Sequence, residues 1–149
     1  MKIILASKSG VRKKILENHK INCNVLPANI DEEQVKESMI SEKATPELVS
    51  KNLAELKANK ISSKKPDELV LGADSVIDLE GELISKPKTR EEAVKILEKL
   101  NGKKHQLISS VCISKNGSMI WNYTDKAALT MKKMTEEELK VYLIKISDE

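Results

Sequence analysis

In the first part of the chain, short apolar runs, which are typical of strands, alternate with segments whose apolar residues have helical spacing. This pattern predicts an α/β fold. Residues 2–6 predict a short buried strand, a Ser/Gly turn follows, and residues 11–20 predict a helix. The inward face of this helix is expected to carry Val11, Ile15 and Leu16. A second strand over residues 21–28 completes a strand–turn–helix–strand opening, which is typical of an α/β unit.

The middle of the chain predicts two helices and a strand that ends at an acid. Residues 31–41 are acidic and predict a short helix, and a Thr-Pro-Glu sequence at 45–47 starts a longer one that runs to about residue 61. The buried face of the longer helix is expected to carry Val49, Leu53 and Leu56. Residues 69–73 predict a short apolar strand that leads directly to Asp74.

The last part of the chain predicts two hairpins and two capped helices. A Glu-Gly pair at 80–81 and an Asn-Gly pair at 116–117 each predict a two-residue turn between strands. Capping boxes that begin at Thr89 and Thr135 predict the two helices. Residues 127–132 predict a separate strand before the second of them.

Length and composition favour a single globular domain without a membrane segment. The 149 residues are 40% hydrophobic and 33% charged, and no apolar run approaches the roughly 20 residues of a membrane helix. We expect one α/β domain over residues 1–149, with a mixed, twisted sheet flanked by helices and two lobes around a central cleft. Cys23 and Cys112 lie far apart without a CxxC spacing and are interpreted as reduced thiols, which indicates the cytoplasm.

The charge pattern favours an anionic small molecule over nucleic acid as the ligand. The net charge is +3, the charges are interspersed, and aromatic residues make up 2% of the chain. The sequence has neither a basic stripe nor an aromatic platform, so no nucleic-acid partner is expected. Two of the 26 basic residues are arginines, Arg12 and Arg90, and a planar guanidinium is expected to be needed where it is retained.

The turn between the first strand and the first helix predicts a site for an oxyanion or a phosphate. Ser7 and Ser9 supply hydroxyl groups, and Arg12 lies in the first turn of the helix. Free backbone N–H groups and the helix dipole also attract an anion at this position. The alternative is an ordinary N-cap turn with surface cations, because no Walker or dinucleotide glycine pattern is present.

Asp74 is a candidate catalytic or ligand-binding residue. It follows the predicted strand at 69–73, and open α/β sheets bind ligands at the carboxyl ends of their strands. Its carboxylate would bind a divalent metal ion or orient an attacking water, and the alternative is a turn residue that caps local backbone groups. Lys57 and Lys86 would neutralise phosphate, or else belong to a solvated surface. Glu32, beside Asp31, would bind Mg²⁺, or else favour the helix start through the dipole.

Five short motifs occur in a fixed order along nearly the whole chain. They are LASKS with Arg12 over residues 5–12, IDE at 30–32, LAELKA at 53–58, GADS at 72–75, and SKP, EA, NG and His105 over 85–105. Together they resemble the Maf family of nucleoside triphosphate pyrophosphatases. The corresponding family patterns are LASxSPxR, an acidic D-E step, LAxxKA, GAD[TSQ] and a KP…A…L…L[SN]G…H run.

The resemblance implies a Maf/ITPase-like fold and a cytoplasmic hydrolase of nucleotide metabolism. Such an enzyme cleaves nucleoside triphosphates, including modified or non-canonical ones, to the monophosphate and pyrophosphate, with Mg²⁺ or Mn²⁺ as cofactor and commonly as a homodimer. The resemblance assigns Asp74 as general base or metal-organising acid and Glu32 as a metal ligand. The residues it assigns to the phosphates are Ser7, Ser9, Arg12, Lys57 and Lys86.

Two positions that the resemblance links to base preference leave the substrate open. Val11 is neither the Arg of one family branch nor the Trp of another. Ser75 is closer to the Thr of the branch that acts on dTTP and UTP than to the Gln of the 7-methyl-GTP branch. Family members continue past the position of Glu149, so we expect a domain that is C-terminally incomplete. This motivates an alternative function, a nucleotide-binding regulator that restrains cell division with little or no catalysis.

Overall fold

A computed structural model describes residues 2–85 and 87–145, with side chains through residue 142. The strands are β1 (Lys2–Leu5), β2 (Asn22–Val25), β3 (Val70–Leu79), β4 (Glu82–Ile84), β5 (Lys104–Lys115) and β6 (Ser118–Thr130). The helices are α1 (Gly10–Asn18), α2 (Glu32–Ser41), α3 (Pro46–Ser62), α4 (Arg90–Leu100) and α5 (Glu136–Lys145). The α/β succession that the hydrophobic pattern predicts is confirmed.

The strands form one six-stranded sheet that mixes parallel and antiparallel pairs. The order is β2-β1-β3-β5-β6, and β4 pairs with β3 outside this order. β1 is parallel to β2 and to β3, while β3, β5 and β6 are antiparallel neighbours. The predicted mixed sheet is therefore confirmed. The separate strand predicted at 127–132 is wrong, because β6 runs without interruption to Thr130 and pairs with β5 from Ser118 to Thr130, with one register shift between Ile113 and Ser114.

β3 is a single ten-residue strand, whereas the sequence predicts a strand that stops before Asp74. β5 pairs with it continuously from Val70 to Asp78, which satisfies backbone groups beyond the predicted end. On its other side, β1 pairs with β3 only as far as Leu5 with Leu71. Asp74 therefore lies within β3, but past the end of the parallel strand beside it, where the sheet opens.

The described residues form two hydrophobic clusters. One lies between α3 and the sheet and includes Ile4, Ala54, Val70 and Cys112. The other packs the β3–β4 hairpin against α4 and includes Leu79, Ile84 and Leu100. Cys23 and Cys112 are free thiols, as predicted. No helix in the described part of the chain has the length and apolar character needed to cross a membrane.

The spacing predicts the buried side chains of α3 in part and those of α1 wrongly. Val49 and Leu53 of α3 are buried as predicted. In α1, Val11 and Ile15 are 69% and 52% exposed and Leu16 is half-buried, so this helix has no fully buried side chain. Leu56 is also exposed, because the buried face of α3 includes Ser50 and Lys57 instead. Both of these polar side chains donate hydrogen bonds to backbone carbonyl groups of β3.

Gly72 allows α3 to approach β3 closely. A Cβ atom at this position would lie 2.3 Å from the Ala54 carbonyl oxygen and 2.8 Å from the Ala58 amide nitrogen, which are backbone atoms of α3. Any side chain there would push the helix away from the strand. The absence of a side chain thus brings α3 against the part of β3 that carries Asp74.

Gly72→Ala is expected to lower the free energy of unfolding by about 2–3 kcal/mol, because the added methyl group must displace backbone atoms. Urea unfolding measures the loss. Gly10→Ala is the matched control, because nothing lies within 4 Å of its added methyl group. Equal stability of Gly72→Ala and the wild-type protein would show that α3 does not pack on β3 in this way.

Candidate active site

A cleft of about 1240 Å³ lies where the sheet opens beyond β1. Its walls include Ala6 from the cluster under α3 and Ile84 from the cluster beside α4. The sequence-predicted candidates that line it are Ser7, Ser9, Val11, Arg12, Glu32, Lys57, Asp74 and Ser75. Lys86 lies outside the described residues. The fold thus gathers candidates from four separate segments of the chain into one cleft.

The turn before α1 folds around the buried Ser7 side chain. Ser7 Oγ accepts hydrogen bonds from the Ser9 backbone N–H and from Arg12 Nη1, both at 3.1 Å. Ser9 is the N-cap of α1, and its hydroxyl accepts from the Arg12 backbone N–H at 3.3 Å. The Arg12 guanidinium is therefore held beside the positive end of a helix dipole, where an anionic oxygen binds favourably.

Lys57 lies between two carboxylates in the cleft. Its Nζ is 3.2 Å from Asp74 Oδ1 and 2.6 Å from Glu32 Oε1. It also donates to the Ala73 carbonyl oxygen at 3.2 Å. Lys57 and Asp74 are 9% and 5% exposed, so this contact is buried. All three N–H groups of the ammonium have acceptors within the protein.

The end of β1 explains the contact between Lys57 and the backbone of β3. The Ala6 N–H donates to the Leu71 carbonyl oxygen beyond the last paired residues of β1. Carbonyl groups two residues apart on a strand point to the same side, so the Ala73 carbonyl faces the position where β1 no longer runs. Lys57 supplies the donor that a longer β1 would have provided.

The surroundings shift the pKa values of the two carboxyl groups in opposite directions. Burial raises the pKa of Asp74 above its ordinary value of 3.8, and the charge and hydrogen bond of Lys57 offset only part of this rise. Burial also acts to raise the pKa of Glu32, but the hydrogen bond and charge of Lys57 help to outweigh it, and the pKa is lowered. The cleft therefore pairs a more basic carboxylate with one that stays ionised.

The donor set fits a divalent metal ion whose coordination a ligand completes. Asp74 Oδ2 is buried and has no hydrogen-bond partner among the described residues. Within residues 2–85 and 87–145 no three His, Cys, Asp or Glu side chains are grouped so that they could hold a metal ion by themselves. Mg²⁺ is usually bound by one or two carboxylates together with substrate phosphates, so Glu32 and Asp74 fit such a role.

Ser50 is a residue of the site that sequence reasoning missed. It is fully buried in α3, and its hydroxyl donates to the Asp74 carbonyl oxygen at 3.1 Å. A signal was present, because Ser50 lies two helical turns before Lys57 and so on the same face of the helix.

The rim of the cleft carries two lysines that were also not predicted. Lys36 lines the cleft one helical turn after Glu32, and this i,i+4 spacing is a signal that could have found it. Lys88 lines the cleft and forms an ion pair with Glu33. No sequence signal connects these last two residues, because they are distant along the chain.

The fold and the cleft define an α/β protein with a turn that holds two serines and an arginine, and with a carboxylate pair at the open edge of a mixed sheet. The chain belongs to the family described as Maf-like protein, whose model matches residues 2–147. The family resemblance inferred from the sequence motifs is therefore confirmed.

Relatives and one solved structure agree with this membership. A nucleoside triphosphate pyrophosphatase of Pelagibacter ubique (strain HTCC1062) is 71% identical over 98% of this chain and 75% of its own length. A 7-methyl-GTP pyrophosphatase of Brucella abortus biovar 1 (strain 9-941) is 36% identical over 99% of this chain and 74% of its own length. The structure of a HAM1 protein from Coxiella burnetii matches with a TM-score of 0.55 at 14% identity, over 86% of this chain and 70% of that one. This last likeness shows the fold alone.

Proposed function

We propose that this chain hydrolyses nucleoside triphosphates, modified ones included, between the α- and β-phosphates. The names of both relatives are those of pyrophosphatases, and the family match spans nearly the whole chain. The observation that carries the proposal is the buried Asp74 carboxylate in a cleft that is also lined by Ser7, Ser9 and Arg12. The alternative of a regulator with little or no catalysis is not favoured, because these names denote enzymes.

The triphosphate would bind at the turn before α1. Ser7, Ser9 and the N–H groups at the start of α1 would donate to phosphate oxygens, and Arg12 would add a charged, two-pronged donor. Lys57 and Lys86 would bind phosphate as well. Because every N–H of Lys57 already has an acceptor, such a contact requires one of its carboxylate partners to give way.

Asp74 would accept a proton from a water molecule as that water attacks the α-phosphorus. The bond between the α-phosphorus and the α–β bridging oxygen breaks, pyrophosphate leaves with that oxygen, and the monophosphate keeps the oxygen of water. The raised pKa of Asp74 makes its carboxylate a stronger base than an ordinary one, and its Oδ2 has no hydrogen-bond partner among the described residues. The step depends on positioning and charge stabilisation rather than on a covalent intermediate.

Metal binding and base selection are assigned to the remaining candidates. Glu32 and Asp74 would hold Mg²⁺ or Mn²⁺, which supplies charge neutralisation for the triphosphate when bound. Val11 and Ser75 line the cleft at exposed positions and would contact the base. The Ser75 hydroxyl lies 3.1 Å from the hydroxyl of Ser109 on the neighbouring strand, which orients it.

A cytoplasmic homodimer is part of the same proposal. The family resemblance supports it, and the free thiols of Cys23 and Cys112 accord with a reducing compartment. Sedimentation equilibrium should give twice the mass of one chain, and the mass of a single chain would contradict the dimer.

The function is tested by incubating the wild-type protein with dTTP, UTP and 7-methyl-GTP in the presence of Mg²⁺ or Mn²⁺ and separating the products. We expect equal amounts of monophosphate and pyrophosphate. Formation of diphosphate and orthophosphate would contradict the proposed bond cleavage. Tight binding of triphosphates without turnover would favour the regulator instead.

Arg12→Lys is expected to raise the KM for the triphosphate about tenfold with little change in kcat, because lysine keeps the charge but loses the guanidinium fork. Arg12 donates to the Ser7 hydroxyl with one nitrogen and would donate to a phosphate oxygen with another, which a lysine could not do in the same way. Initial rates over a range of triphosphate concentrations give both constants. Lys13→Ala, at an exposed neighbour that pairs with Glu17, is the control and should change neither. A wild-type KM in Arg12→Lys would remove Arg12 from the phosphate site.

A further inference from the structure

We propose that Ser50 is a positioning residue for Asp74, an inference that rests on the proposed function and extends it. Ser50 is 0% exposed, and its Oγ donates to the Asp74 carbonyl oxygen at 3.1 Å. A serine inside a helix commonly bonds back to a carbonyl of its own helix. This hydroxyl instead reaches the strand that carries the acid of the cleft.

Ser50 and Lys57 together hold the two peptide groups on either side of the Asp74 Cα atom. Lys57 donates to the carbonyl of Ala73, which belongs to the peptide before Asp74. Ser50 donates to the carbonyl of Asp74, which belongs to the peptide after it. Because both peptide groups are held, the backbone torsions of Asp74 are restrained, and these torsions limit the rotamers that its carboxylate can adopt.

Asp74 lies where the sheet holds β3 from one side. β1 pairs with β3 only as far as Leu71, so around Asp74 the strand has a sheet neighbour in β5 and none in β1. Backbone beside an open cleft moves more easily than backbone inside a sheet. α3 packs closely on β3 at Gly72, and its Lys57 supplies the donor to the Ala73 carbonyl that β1 does not provide. A displacement of about 1 Å at a reacting group can lower a rate by up to about 100-fold.

The same helix provides a matched control. Ser62 is also 0% exposed, and its Oγ accepts a hydrogen bond from the Gly117 N–H at 2.8 Å. Ser62 lies at the last residue of α3, and it does not line the cleft. Ser62→Ala therefore removes a buried hydroxyl of the same size and one hydrogen bond, but at a distance from Asp74.

The test compares kcat, KM and thermal unfolding of the wild-type, Ser50→Ala and Ser62→Ala proteins. Ser50→Ala is expected to lower kcat about tenfold with KM within about twofold, because the phosphate-binding turn does not depend on Ser50. Ser62→Ala is expected to lose thermal stability while its kcat stays within about twofold of wild type. Equal kcat values for the two variants would overturn the role of Ser50. Absence of turnover in the wild-type protein would instead overturn the proposed function.

Ser50→Cys keeps the experiment decisive where Ser50→Ala does not fold. Cysteine has nearly the same shape and a weak S–H donor, so kcat is expected to fall by about two- to fivefold, less than in the alanine variant. A wild-type kcat in Ser50→Cys would overturn the proposal.

Discussion

Asp74→Asn is expected to lower the rate of pyrophosphate release by about 10²- to 10⁴-fold, the range that a general base usually contributes. Asparagine keeps the shape of the side chain and the backbone contact to Ser50, but it cannot take a proton from water. The rate is measured as pyrophosphate released from a triphosphate in the presence of Mg²⁺. Asp125→Asn, at an exposed acid on β6, is the control and should retain the wild-type rate. A rate for Asp74→Asn within about threefold of wild type would mean that another group is the base.

The same variant is expected to be at least as stable as the wild-type protein. Burial raises the pKa of Asp74, so the folded protein binds this proton more tightly than the unfolded chain does. This tighter proton binding contributes to the free energy of unfolding. The contribution is fully present at pH values below the ordinary pKa of 3.8, and it is lost as the pH rises through the raised pKa of folded Asp74. Asparagine does not undergo this loss. In thermal unfolding without divalent ions, the Tm advantage of Asp74→Asn should grow between about pH 4 and pH 7. A lower Tm than wild type at neutral pH would show that Lys57 outweighs burial.

Lys57→Met is expected to reduce stability and turnover together, because it removes the cation between two carboxylates. The change leaves buried Asp74 without its charged partner and is expected to lower the free energy of unfolding by about 3 kcal/mol. Loss of Lys57 also raises the pKa of Asp74 further and releases the Ala73 carbonyl. Turnover is therefore expected to fall by about 100-fold or more. Urea unfolding and pyrophosphate release measure the two effects.

Lys51→Met is the control, because it also removes a lysine from α3 but not the contacts in the cleft. Lys51 is exposed and lies 3.9 Å from Glu47, so its removal is expected to change stability by less than about 0.5 kcal/mol and to leave turnover intact. If Lys57→Met matched Lys51→Met in both measurements, the ion pairs of Lys57 would have no role in the fold or in turnover.

Local signals predict the elements of this fold well, because each depends on a few neighbouring residues. Thr45, Thr89 and Thr135 are predicted as helix starts, and each hydroxyl accepts from the backbone N–H three residues later. The Asn-Gly turn at 116–117 has the positive φ angles that its two-residue hairpin requires.

Contacts between segments that are far apart in the sequence could not be predicted from local patterns. Periodicity places Leu56 in the core and Lys57 outside it, but the acid on β3 makes a buried lysine favourable. The continuation of β3 past Asp74 depends in the same way on pairing with β5. The sequence thus finds Lys57 and Asp74 as separate candidates, while their contact follows from the close approach of α3 at Gly72.

The central claim is that water activated by Asp74 attacks the α-phosphorus of a nucleoside triphosphate. A single turnover in ¹⁸O-labelled water, followed by mass spectrometry of both products, tests it most directly. We expect labelled oxygen in the monophosphate and none in the pyrophosphate. Label in the pyrophosphate, or orthophosphate in place of pyrophosphate, would contradict the claim.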